Sequence, residues 1–197
     1  VFMQYNKLKD GSYQLLERKC VDTGMGIERT VAMLSGKKSV YETDIFIPVI
    51  AAVERLTGKV YGANETDDVS IRIICDHARA ASFILGDSKG VTPSNVGAGY
   101  VLRRLIRRAV RHGRKLGVDG VFLSIPAKVV IDQYRNAYPE LGEKAAFVLA
   151  ELKAEEEKFL ETLKKGEAEF EKMLPNLQKD PRKIMSGRLA FKLYDTY

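Results

Sequence analysis

The side chains best placed to do chemistry are arginines, and they come in two settings. The first is Pro93–Gly117, PSNVGAGYVLRRLIRRAVRHGRKLG. Its second half reads as an amphipathic helix, because Leu102, Leu105, Ile106, Ala109 and Val110 recur at helical spacing on one face. Arg103, Arg104, Arg107, Arg108, Arg111, Arg114 and Lys115 cover the rest. So much fixed positive charge repels itself unless a polyanion lies against it. A solvated basic face is the plain alternative. The use of Arg, not a mixture of Lys and Glu, favours phosphate, since a guanidinium fork fits phosphate better than a point ammonium does. Ahead of the helix, Pro93-Ser94-Asn95 reads as a turn, and Gly97 and Gly99 let the backbone approach another surface. Asn95 is a short amide that can read a base edge while arginines hold the backbone.

The second setting is Val21–Arg29, VDTGMGIER. Alone, Gly24-Met25-Gly26 reads as a helix cap, and Glu28-Arg29 as a surface ion pair. Together with a preceding strand, two backbone-permissive glycines and an arginine in the first helical turn make a triphosphate site.

The elements that must position these residues follow from the pattern. Val1–Asn6 and Tyr13–Lys19 read as strands joined by the Lys9-Asp10-Gly11-Ser12 turn. Gly24–Leu34 opens a helix with Ile27, Val31 and Leu34 as its apolar face, closed by Gly36. Asp44–Leu56, capped by Thr43 and closed by Gly58, is the second helix. Lys59–Val69 reads as a loop, and Ile71–Leu85, capped by Ser70, is the third helix. Asp76 and His77 point about 100° apart on it, so the spacing predicts that they do not meet, and a structural hydrogen-bonding role is the reading for both. Ser124 caps a helix to about Tyr138, with Pro126 in its first turn and Pro139 ending it. Glu140–Leu174 continues as one helical pattern, roughly 50 Å long if unbroken, with a Glu/Lys covering read as solvated. Pro175–Arg182 reads as a linker, and Ser186 caps a last helix, Gly187–Tyr194, that delivers Asp195.

Composition sets bounds on this. The 197 residues are 45% hydrophobic and 29% charged, with a net charge of +6 concentrated in the arginine stretch. That is a globular composition with room for one large domain or two small ones. Cys20 and Cys75 lack metal-ligand spacing and read as buried or incidental thiols in a reducing, cytoplasmic setting. No apolar run approaches the roughly 18–20 residues of a membrane span. Both ends read as cut from something longer.

Asp22–Arg29 resembles motif 3 of the class II aminoacyl-tRNA synthetases, in the form found in the alanyl-tRNA synthetase family. The likeness extends to Asp76-His77-Ala78-Arg79-Ala80, Pro93-Ser94-Asn95, Gly99–Gly113 and Phe191–Tyr197. This chain carries Val96 and Ala98 where the family pattern has Glu and Arg.

The resemblance implies an α+β, predominantly α-helical fragment. Residues 1–36 would be the C-terminal part of a class II catalytic domain, an antiparallel β remnant with motifs 1 and 2 upstream. Residues 37–197 would be a helical tRNA-recognition domain. The implied activity of the complete enzyme is ATP-dependent activation of alanine, using Mg²⁺, and transfer to tRNA(Ala). The fragment alone would be inactive. The resemblance further implies that Arg29, with Gly26, meets ATP as the catalytic contact, while Asp22 and Gly24 bind alanine. The acceptor stem would be read at a G·U wobble pair by Asn95 and Asp195, with Arg103, Arg104, Arg107, Arg108 and Arg111 on the tRNA. It implies zinc only outside this segment, with a downstream editing domain, and no membrane partner. Two alternatives stay open on the residues: a stand-alone helical RNA-binding module, against which the glycine-arginine motif argues, and an adaptor oligomerising through Glu140–Leu174.

Overall fold

The computed structural model describes residues 2–179 and 184–196. The chain divides into two compact units, Val1–Ile45 and Phe46–Tyr197.

The first unit opens with an antiparallel pair, β1 (Phe2–Lys7) and β2 (Tyr13–Val21), in which Tyr5 faces Leu15 and Lys7 faces Tyr13. The register shifts between Met3 and Tyr5. Asp10 sets the turn: its carboxylate accepts the Ser12 amide at 2.9 Å, and Gly11 takes φ +86°. Helix α1 (Ile27–Leu34) follows, and Gly36 leaves it at φ +66°. The apolar face expected on α1 is uncovered within this unit: Ile27 and Leu34 are exposed and Ala32 is its buried residue. A short 3₁₀ turn at Val40–Glu42, unforeseen in the sequence, is begun by Ser39, whose hydroxyl accepts the Tyr41 amide.

The second unit is helical: α2 (Ile47–Thr57), α3 (Glu65–Gly86), α4 (Gly97–Lys115), α5 (Ser124–Tyr134), α6 (Pro139–Glu143), α7 (Ala145–Lys179) and α8 (Gly187–Thr196). Helix α3 packs on α2, α4, α5 and α7 and forms the centre of the core with Ile71, Ile74, Ala78 and Leu85. Two glycines are fixed by contact: a Cβ on Gly86 would run into Leu141, and one on Gly113 into the Phe122 ring. Among the described residues no helix is long and apolar enough to cross a membrane.

Several boundaries differ from the expectation, each for a local reason. Thr43 does not cap α2. Its hydroxyl donates back to the Val40 carbonyl at 2.6 Å, closing the 3₁₀ turn, and the helix starts at Ile47 with Pro48 in its first turn. Asn64, not Ser70, caps α3, accepting the Thr66 and Asp67 amides on its side-chain oxygen, so much of the expected loop is the first turns of this helix. Ser124 is the first residue of α5, which follows Leu123 as N-cap and ends at Tyr134, before Tyr138; Phe83 meets Tyr134 and Tyr138 edge-on at 5.2 and 5.1 Å. The long pattern breaks at Lys144, between α6 and α7, and then runs through Pro175 to Lys179. Residues 180–182 of the expected linker lie outside the described residues. Ser186 does receive the Leu189 amide at the start of α8, at 3.4 Å, and that helix extends to Thr196. Cys75 is buried, and burial pushes its thiol well above the ordinary range, whereas Cys20 is exposed.

Candidate functional site

In the first unit, β2 ends at Val21 and a loop carries Asp22, Gly24 and Gly26 to the start of α1. All three are exposed, as is Arg29 in the first turn. Gly26 is the N-cap residue, has extended backbone and gives no side-chain cap. The first-turn amides of α1 therefore lack a capping side chain and can meet an anion. The aliphatic part of Arg29 lies over Gly26, 3.5–3.7 Å from where a Cβ would stand, and Gly24 has no heavy atom within 4 Å of that position. Packing inside this unit therefore does not require either glycine. Gly24 leaves open space, and Gly26 leaves room for the stem of Arg29 beside the uncapped amides.

In the second unit, α4 presents two arginine stripes, and the structure treats them differently. Its buried face is Leu102, Ile106, Ala109 and Val110, as the spacing predicts. Arg103 and Arg107 turn toward α7. Arg107 Nε donates to Glu155 Oε1 at 2.7 Å and its guanidinium stands 5.1 Å from the centre of the Phe159 ring. Arg103 Nε is 3.4 Å from the same carboxylate oxygen, and Arg114 meets Glu167 at 3.6 Å. Helices α4 and α7 thus run side by side in the same direction. Arg104, Arg108 and Arg111 form the other stripe, and no carboxylate among the described residues pairs with them within 4.0 Å. Arg104 rests near the Tyr100 ring, 5.9 Å from its centre.

Glu155 is 3% exposed and Glu156 is fully buried, so the solvated reading of the α7 glutamates fails at these two positions. Glu156 accepts the amides of Phe122 and Leu123, each at 3.0 Å, and so ties α7 to the beginning of α5. Burial pushes its carboxyl up to about 7, against the pull of those two amides. A signal for both glutamates exists in the sequence: Val148, Leu152 and Phe159 define a helical stripe that passes through 155 and 156.

Asp76 and His77, expected not to meet, do. His77 Nδ1 lies 3.1 Å from Asp76 Oδ2. Adjacent side chains diverge at Cβ, but Nδ1 is the near ring nitrogen and swings back to the short carboxylate. The hydrogen bond from His77 holds the Asp76 carboxyl below its ordinary range. Arg108 Nη1 lies 3.4 Å from His77 Nε2. A guanidinium only donates, so Nε2 accepts and the ring proton sits on Nδ1. Deeper in, His112 Nδ1 is 3.0 Å from Ser70 Oγ, and burial followed by Lys115, Arg108 and Arg111 pulls its pKa down.

Asn95 is exposed at the mouth of α4, and its side-chain oxygen accepts a hydrogen bond from Arg103. Since that guanidinium has no acceptor, the amide nitrogen of Asn95 is the end left free. The other surface that Gly99 approaches is its own loop: a Cβ there would strike Ser94 and the Thr92 carbonyl. Asp195 is exposed in the last turn of α8, which packs on α7. Among the described residues no hydrogen bond or ion pair joins Asn95 to Asp195, and no cluster of three His, Cys, Asp or Glu side chains is formed.

The family described as tRNA synthetases class II (A) matches residues 1–197, the whole chain. The chain belongs to this family. Relatives within the class II synthetases include an alanine–tRNA ligase of Treponema denticola, 68% identical, and one of Treponema pallidum, 62% identical, each over all of this chain and 33% of the relative. An alanine–tRNA ligase of Lactobacillus delbrueckii subsp. bulgaricus is 46% identical over the whole chain and 22% of its own length. The chain thus spans about a third of the length of the first two of these curated synthetases.

Proposed function

We propose that this chain is the segment of an alanine–tRNA ligase that completes the ATP site and holds the acceptor stem of tRNA(Ala). The complete enzyme activates alanine with ATP and Mg²⁺ and then transfers it to the tRNA. Residues 1–36 belong to its catalytic domain and 37–197 to its tRNA-recognition domain. The observation that carries the reading is the match to alanine–tRNA ligases over all 197 residues, together with Arg29 standing over Gly26 at an uncapped helix start.

Each residue has a role on this reading. Arg29 and the α1 amides meet the triphosphate, because the arginine supplies a fixed fork and the helix start supplies free donors. These residues fit ATP: Gly24 is open above, and the guanidinium whose stem lies over Gly26 is at hand. Asp22 is exposed at the strand end, where its carboxylate pairs with the ammonium of alanine. Gly24 leaves space that suits a substrate with one methyl group. Asn95 on the loop before α4 and Asp195 on α8 face the RNA, and the arginines of α4 hold its phosphates. Mg²⁺ arrives with the nucleotide, and zinc belongs to the editing part outside this segment. The remainder of the catalytic domain covers the first unit, where Tyr5, Tyr13, Leu15, Met25 and Met33 stand exposed. A lone two-stranded pair is marginal in water, which supports a larger sheet around it. A cytoplasmic location goes with this activity.

The test is Arg29→Ala in the complete enzyme. ATP–pyrophosphate exchange should fall at least a hundredfold, the scale of lost charge stabilisation at a reacting phosphate, while tRNA binding stays within about twofold. Unchanged exchange would remove Arg29 from the ATP site.

A further inference from the structure

Arg103 differs from the other arginines of α4 because the fold occupies its guanidinium on two sides. Its Nε is buried 3.4 Å from Glu155 Oε1, the oxygen that also takes the hydrogen bond from Arg107 at 2.7 Å. Its Nη1 donates to the side-chain oxygen of Asn95. Glu155 is buried in α7, so the three side chains form a path from the helical core to an exposed amide on the loop before α4.

That loop is tied on both sides of Asn95. The Ser94 amide donates to the Gly99 carbonyl at 3.1 Å, and the Ser94 hydroxyl donates to the Val96 carbonyl at 2.9 Å. Gly97 then opens α4 at φ +57°, a turn that favours glycine. Backbone and side chain of Asn95 are both fixed, and the fixing has a direction. An amide turned end for end would set its NH2 against the guanidinium, donor against donor. The oxygen therefore faces Arg103, and the nitrogen is the end presented outward.

This bears on how a base pair is told apart in the minor groove. The pyrimidine offers an acceptor oxygen there, O2, and uracil and cytosine carry the same one. They differ in where it lies, because a wobble pair shifts uracil toward the major groove. A donor free to rotate would follow the oxygen to either place. A donor held in one place distinguishes the two. We propose that Arg103, anchored on Glu155, is a positioning residue and not a phosphate contact: it orients Asn95 so that the amide N–H meets an acceptor oxygen on the uracil side of the wobble pair. That Asn95 faces the RNA rests on the function proposed above; its orientation by Arg103 rests on the contacts.

The complete ligase tests this with two tRNAs, one carrying G·U and one G·C at that pair. The readout is the ratio of their kcat/KM values, in which general damage to the fold cancels. Arg103→Met should lower the ratio about tenfold, on the scale of one lost base contact. Added to Asn95→Ala it should lower the ratio no further, since nothing is left to orient. Asn95→Asp keeps an oxygen for Arg103 but brings no N–H, so it should lose the ratio as Asn95→Ala does. The slope of log K against log [salt] for tRNA binding should be unchanged in Arg103→Met, whereas a phosphate contact would take away about 0.7–0.9 of a unit and leave the ratio intact. That last result, additive losses in the double variant, or a ratio preserved in Asn95→Asp would each overturn the positioning role. A wild-type ratio in Asn95→Ala would take Asn95 off the base pair altogether; a loss there without one in Arg103→Met would overturn the positioning alone.

Discussion

Asn95 and Asp195 show what a single residue can carry. An A-form minor groove is wide and shallow, so short side chains reach its base edges. In a G·U wobble pair the uracil shifts toward the major groove and leaves the guanine N2 amino group unengaged by its partner. A carboxylate accepts from that group, and an amide can serve the uracil side or the sugar. Asp195→Ala or Asn95→Ala in the complete enzyme should lower kcat/KM for the G·U tRNA by the equivalent of about 1–3 kcal/mol each, with alanine activation preserved and a G·C tRNA affected much less. Equal losses on both tRNAs would assign the two residues to the fold. The sequence makes both legible as candidates because a short polar group beside an arginine run has an evident use. It does not reveal that Arg103 already occupies the oxygen of Asn95, since that contact depends on how the loop before α4 turns back. Asp76 and His77 were illegible for a similar reason: helical angles describe where Cβ points, not where an imidazole ends.

At the scale of elements, the arginine helix was legible and its division into two stripes was not. Periodicity shows which face of α4 is apolar. It does not show that Arg103 and Arg107 find a carboxylate on α7, because their partner lies 48 residues further on in the case of Arg107. The matching clue is in α7, where two glutamates interrupt an apolar stripe. Glu156 makes a pH prediction. Its folded value, about 7, is above its ordinary 4.5, so the folded protein binds that proton more tightly than the unfolded chain does. The stability it contributes is complete below about 4.5 and falls as pH rises toward 7. Thermal unfolding of wild type against Glu156→Gln should therefore show the wild-type advantage shrinking between pH 5 and 7 and levelling above that. A difference that grows over this range would mean the Phe122 and Leu123 amides outweigh burial. The caps at Asn64 and Ser186 follow the usual polar rule; the start of α5 departs from it because its acceptor comes from another helix.

For the molecule as a whole, the mainly helical α+β class was readable from long amphipathic runs after a short alternating pair. The uncovered faces of the first unit were not, because a strand or helix looks equally amphipathic whether its partner lies in the same segment or elsewhere. That exposure goes with a prediction for the 197-residue chain by itself: if Arg29 forms part of a larger ATP site, as proposed, this segment should give no ATP–pyrophosphate exchange above background. Exchange that vanishes on Arg29→Ala in this segment would show the site to be self-sufficient. The pair Glu155–Glu156 has a further consequence, for the lengths that α7 can take in descendants of this gene. One added residue turns a helix by about 100° and advances it 1.5 Å. Inserted between Leu152 and Glu155, it would make one half or the other give way: Val148 and Leu152 would leave the core, or the two carboxylates would leave the α4 arginines and the α5 amides together. Insertions and deletions should therefore be purged from that stretch and accumulate beyond Glu167, where no carboxylate is pinned to a neighbouring helix of the core.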